Sequence, residues 1–129
     1  MLLRMFIVML LISLTMPVIM IDSLQDYCIG LNQMYGAVFM SAAMILFGGH
    51  TSDPLILTAM FLLCVACIIG IRYQIGVSDT QYLRDMIPHH SMAVLTSKKQ
   101  VEYKGRSRDL ASSILDTQIR EIALMKSML

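Results

Sequence analysis

For its first seventy residues the chain alternates between long apolar runs and short polar breaks, and then its character changes. Leu2–Ile21 is apolar except at Arg4, Ser13, Thr15 and Pro17. That is close to the ~20 residues a helix needs to cross a hydrocarbon core. It is long for the apolar part of a signal peptide, and the Ile21-Asp22-Ser23-Leu24 that follows lacks a small-x-small cleavage pattern. The run predicts a retained span in which Pro17 is tolerated as a kink. A second stretch, Ile29 to Gly49, carries Asn32 and Gln33 near its start, so its apolar centre is short. A third, Leu55–Ile71, has no charged residue and ends at Arg72-Tyr73, a pair suited to a membrane interface. Ala37 and Ser41, and again Ala66 and Gly70, show the small-xxx-small spacing of closely packed helices in lipid.

From Asp79 the apolar positions recur with helical period. Asp79, Tyr82, Met86, His89, His90, Ala93, Val94 and Ser97 fall on one face, with Pro88 opposite and expected to bend the helix. Lys98–Arg108 reads as a connector, with Gly105 a turn and Ser107 an N-cap. A second helix from Arg108 groups Leu110, Ile114, Leu115, Ile122, Met125 and Met128 on one face, together with Gln118 and Glu121. Asp109 in its first turn and Lys126 in its last suit the helix dipole. The predicted fold is all-α. Residues 1–76 form three transmembrane helices, near 2–21, 29–49 and 55–71, and residues 77–129 form a polar two-helix hairpin. Such a hairpin has too little interior to close a core alone. It needs a second surface, either a homodimer that completes a four-helix bundle or its own spans.

Charge sharpens the division. The chain is 57% apolar and 15% charged, against about 25% charged in soluble domains. Residues 1–71 carry one basic and three acidic side chains, whereas residues 72–129 carry nine and six. No basic stripe with interleaved aromatics is present, so nucleic acid is not an expected partner; membrane lipid is. Three spans place the Asp22–Asn32 loop on the same side as the hairpin, but basic residues near the spans leave the orientation close to a tie. Cys28, Cys64 and Cys67 are odd in number and form no disulfide framework. Met5, Met9, Met16 and Met20 share a helical arc, as do Met60, Cys64 and Cys67. Soft ligands in a row suit a soft cation, but methionine also fills irregular apolar gaps, and packing is the better reading of these stripes.

Two polar groups point into the hairpin. One is His89-His90, preceded by Met86; the other is Gln118, Glu121 and Met125. A buried carboxylate without a partner is costly, so Glu121 calls for a histidine of the other helix or for a metal ion. Turning at Gly105 brings positions 90 and 121 into one layer. Helix pitch separates the two histidines by about 100°. His90 shares the direction of Met86 and is the expected inward ligand, leaving His89 to touch Glu121 or reach across a dimer interface. His-Glu-x-x-His and inward Glu-x-x-His pairs are absent, which argues against a zinc hydrolase and sets aside a carboxylate-bridged di-iron enzyme. No enzymatic activity is expected.

Asp79-x-x-Tyr82-x-x-x-Met86-Ile87-Pro88-His89-His90, followed by Gln118-x-x-Glu121-Ile122-x-x-Met125, resembles domain-of-unknown-function family 305, specifically its membrane-anchored branch. That family includes periplasmic copper-binding proteins of the CopM kind. The resemblance implies a ferritin-like, four-helix-bundle type of fold and a bacterial source. It also implies a cell-membrane location with the hairpin on the periplasmic side, and binding of Cu(I) or Ag(I) in metal tolerance or transfer, with a metal-handling partner protein. Carried over position by position, Met86, His89, His90, Glu121 and Met125 become the metal-site candidates, Glu121 orienting a histidine. The sequence departs from the pattern at Thr96, where many members have Met; Met92 lies one turn away. The alternative is a non-enzymatic oligomerisation or scaffold module in the membrane, in which the His–Glu contact is purely structural.

Overall fold

A computed structural model describes residues 1–103 and 105–129. Among these the fold is all-α, built from α1 (Leu2–Thr15), α2 (Leu31–Phe47), α3 (Pro54–Arg72), α4 (Asp79–Tyr103) and α5 (Arg108–Ser127), with 3₁₀ turns at Met16–Ile19 and Leu24–Asp26. The helices divide into two compact units, and the division is not a single cut along the chain. One unit is Met1–Met16 with Leu31–Ser78; the other is Pro17–Gly30 with Asp79–Leu129.

In the first unit α2 packs against both α1 and α3. Its buried positions are small or slender: Ala37, Ser41, Ala42 and Ile45 on α2, and Cys64, Cys67 and Gly70 on α3. Small side chains let helix backbones approach closely. At Gly70 an added Cβ would lie 3.0 Å from the Tyr35 ring. Ala66, expected to share this role, is exposed. The sulfur stripe on α3 is packing: Cys64 and Cys67 are buried, and the Cys64 thiol donates to the Phe39 carbonyl. α3 starts as Asp-Pro requires. Asp53 Oδ1 accepts from Leu55 N–H at 2.9 Å, and Pro54 occupies the first turn, where a missing N–H costs nothing. Among the described residues, two stretches are long and apolar enough to cross a membrane, Leu2–Ile19 with 18 residues and Pro54–Arg72 with 19; α2 is a shorter apolar helix of 17.

The second unit is the α4–α5 hairpin, braced by a third strand of chain, the arm Pro17–Gly30. α4 runs on to Tyr103, so the connector is shorter than the expected Lys98–Arg108; Lys104 lies outside the described residues. The buried face of α4 is also rotated. Ile87, Pro88, Ser91, Val94 and Ser97 are buried, whereas Tyr82 and His89 are exposed. Pro88 therefore lies inside, not on the outer face. The arm causes the rotation, because it covers a side of α4 that a bare hairpin would leave to water. Asp26 of the arm is 6% exposed. Its carboxylate accepts from Ser91 Oγ at 2.6 Å and from Lys126 Nζ at 2.5 Å. Ser91 Oγ in turn accepts from Asp22 N–H at 3.0 Å, and Lys98 Nζ donates to the Asp22 carboxylate at 2.6 Å. Gly30 closes the arm in contact with Asp85, where a Cβ would overlap the carboxylate.

The pair is buried on the Asp26 side and open on the Lys126 side, so removing the lysine strands a buried carboxylate. Lys126→Ala leaves Asp26 with one hydroxyl partner and is expected to cost about 2–4 kcal/mol, discounted from a fully buried pair. Asp26→Ala leaves a lysine that can turn to water, and is expected to cost only about 1–3 kcal/mol. Thermal unfolding of the full chain in detergent, followed by helical circular dichroism, checks the order. Equal losses would contradict the stranded-carboxylate argument, and no loss in Asp26→Ala would show that the arm does not depend on this carboxylate.

Candidate functional site

The hairpin brings His90 of α4 to Glu121 of α5, both singled out from the sequence. His90 Nε2 lies 2.9 Å from Glu121 Oε2, and its Nδ1 lies 2.8 Å from the Met86 carbonyl oxygen one turn back on α4. A neutral imidazole has one N–H and one lone pair. The carbonyl only accepts, so Nδ1 donates. Nε2 then either donates to the carboxylate or accepts a proton carried by it. In both arrangements each ring nitrogen has a partner within the protein.

Met86 contributes its backbone carbonyl to His90. His89 is exposed, its ring edge-on to that of His90 with centroids 6.1 Å apart; it is His90, not His89, that meets Glu121. Met125 is buried. Thr96 is exposed, with its hydroxyl bonded back to the Met92 and Ala93 carbonyls. Among the described residues, no group of three or more His, Cys, Asp or Glu side chains is placed to hold a metal ion. This overturns the expected Cu(I) or Ag(I) site and its role in metal tolerance or transfer. The His90–Glu121 contact fits the structural alternative instead.

Sequence reasoning missed the brace: Asp22 and Asp26 on the arm, Ser91 on α4, Lys98 and Lys126. The available signal was two acids four residues apart, with no basic residue near them, in a chain whose C-terminal hairpin is net basic. Lys126, read only as a helix-dipole cation, is the partner of Asp26. Ser107 begins α5, but its hydroxyl accepts from Gln100 Nε2 at 2.6 Å and caps no backbone N–H.

A structural pair and a ligand respond differently to substitution. Glu121→Gln keeps a bond, because its amide N–H donates to Nε2 of a neutral ring whose Nδ1 still donates to Met86. The expected loss is under about 1 kcal/mol. His90→Ala removes both bonds and leaves Glu121, whose side chain is 47% exposed, to rehydrate; the expected loss is about 1–2 kcal/mol. Thermal melts of the full chain distinguish the two, and a Glu121→Gln variant as damaged as His90→Ala would contradict this bonding pattern.

The model of the domain of unknown function DUF305 matches residues 72–129. An uncharacterized protein of Acanthamoeba polyphaga mimivirus is 35% identical, the match covering 84% of this chain and 76% of that protein. That relative is viral, which overturns the expectation of a bacterial source and, with it, the bacterial inner-membrane and periplasmic placement. No solved structure matches the chain. The chain therefore belongs to one family with the mimivirus protein, and over residues 72–129 it carries a DUF305 domain.

Proposed function

We propose that this chain is a non-enzymatic helical interaction module held in a membrane, with its hairpin pinned by a structural His90–Glu121 contact. The observation that carries the reading is the full commitment of the His90 ring between Glu121 and the Met86 carbonyl. A histidine held through both ring nitrogens sets helix register.

The membrane half of the reading rests on surface and connectivity. Leu3, Leu11 and Ile12 of α1 and Leu55, Phe61 and Leu62 of α3 are all more than half exposed, an arrangement that water would penalise and lipid would not. The arm and the hairpin belong to one unit, and the chain between them is α2 and α3. A path that leaves a unit on one side of a bilayer and returns to it crosses an even number of times. If α3 crosses, so does α2, despite its 17 residues. With α1 this gives three spans, and lipid is the first partner.

The test is one of sidedness. Gln25→Cys, Ser52→Cys and Ser127→Cys variants in a Cys28→Ser background are labelled with a membrane-impermeant thiol reagent, in intact and in opened vesicles. Positions 25 and 127 are expected to label from one side and position 52 from the other. Labelling of 25 and 127 from opposite sides, or extraction of the protein by alkaline carbonate, would sink the reading.

A further inference from the structure

The side of α5 turned away from the arm carries Leu110, Ile114, Leu124 and Met128, exposed at 64, 36, 56 and 63%. With Thr117 and Glu121, both half-buried, they form one stripe at spacings of 4, 3, 4, 3 and 4 residues. That is the a/d repeat by which one helix packs along another. α4 borders one edge of the stripe, where His90 meets Glu121, and the arm lies beyond that edge: Ala111 and Met125, on the same edge, are the buried positions of the helix.

We infer that this stripe is the seam for a second copy of the same chain, with the two α5 helices antiparallel about a two-fold axis level with Ile119. The inference rests on the interaction-module reading and names its partner. A two-fold interface must be self-complementary: if residue i meets residue j, then j meets i. In the register centred on position 119, Leu110 meets Met128 of the second copy, Ile114 meets Leu124, and Thr117 meets Glu121. Apolar positions face apolar positions, and the two polar positions face each other at the centre. The exposed flank obeys the same symmetry. Asp116 and Arg120 lie on one side of the stripe, both exposed. The register places Asp116 of each copy within two residues of axial rise, about 3 Å, of Arg120 of the other. The four charges sum to zero. A helical partner of unrelated sequence would have no reason to match this palindrome of sizes and charges.

The neighbouring surface accommodates the ends of the seam. A groove between α4 and α5 is lined by Thr96, Gln100, Leu110 and Ile114 among others. It opens where the register delivers Leu124 and Met128 of the second copy. The seam is about 27 Å long and by itself narrower than a standard interface of roughly 800 Å² per partner. The groove adds to that area, and anchoring both copies in one bilayer raises their effective concentration.

Cysteine pairing in the full-length protein, in detergent and in vesicles, tests the register under mild oxidation. Ile114→Cys combined with Leu124→Cys is expected to give a covalent dimer beyond the background of the unmodified chain, and Ile114→Cys alone is expected to give none. Asp116→Arg is expected to weaken the dimer at least tenfold by analytical ultracentrifugation, and Asp116→Arg with Arg120→Asp to restore it, with helicity unchanged in both. Self-linking of Ile114→Cys alone would mean a parallel seam and overturn the register. A stable dimer that neither crosslinks nor responds to the charge swap would overturn this surface while leaving the interaction-module reading intact. A strict monomer at every concentration would remove the second copy as partner and self-association with it.

Discussion

Asp26 is a carboxylate taken out of water, and the arrangement of the hairpin unit depends on what compensates it. An unpaired charge at that depth would cost several kcal/mol, so a hydroxyl and an ammonium must reach it from fixed directions. The hydroxyl is Ser91 on α4 and the ammonium is Lys126 on α5. Three segments distant in sequence therefore converge on one side chain. Their convergence decides which face of α4 is inside. With Ser91 turned to the arm, Ile87 and Val94 follow it into the core, and His89, two positions before Ser91, is carried out to solvent.

The same constraint fixes how α4 and α5 register against each other. His90 and Ser91 are neighbours on α4 and point about 100° apart. One reaches Glu121 and the other reaches the carboxylate that also holds Lys126. Apolar contacts alone tolerate sliding, because burial is non-directional. Two polar contacts on different sides of the same turn do not. Sliding α5 by one residue would carry Glu121 from His90 and Lys126 from Asp26 together, leaving a buried carboxylate short of its cation. This is a sufficient role for the His–Glu pair, and it needs no metal.

What the sequence made legible was local. Asp79 and Ser107 marked the starts of the two hairpin helices, which begin at Asp79 and Arg108. Spacing about Gly105 brought His90 level with Glu121, because an antiparallel turn fixes that geometry through chain length alone. The arm was not legible. Asp26 is 65 residues from Ser91 and 100 from Lys126, and helical periodicity carries no information over such separations. Missing the arm, the reading rotated the buried face of α4 and placed Pro88 outside. The copper expectation came from resemblance at individual positions. It failed because no three His, Cys, Asp or Glu side chains among the described residues are grouped to hold a metal ion, and both His90 nitrogens have partners within the protein.

The polar residues that made α2 the weakest of the apolar stretches have internal tasks. Pro17 offers no N–H to continue the α1 ladder, and the helix passes into a 3₁₀ turn there. Gln33 Nε2 donates to the Leu14 carbonyl beside that break at 2.9 Å. Asn32 and Gln74 exchange amide hydrogen bonds, at 3.0 and 3.1 Å, between the start of α2 and the turn after α3. The Tyr35 hydroxyl donates to the Ile75 carbonyl in that turn at 2.9 Å. A hydropathy count charges each of these groups as if it faced the surroundings, yet each is satisfied within the unit. A bilayer tolerates backbone breaks and amide side chains on that condition. The polarity that shortens α2 on paper is thus the means by which the helix ends beside it are closed, and it supports the reading in which α2 crosses with α3.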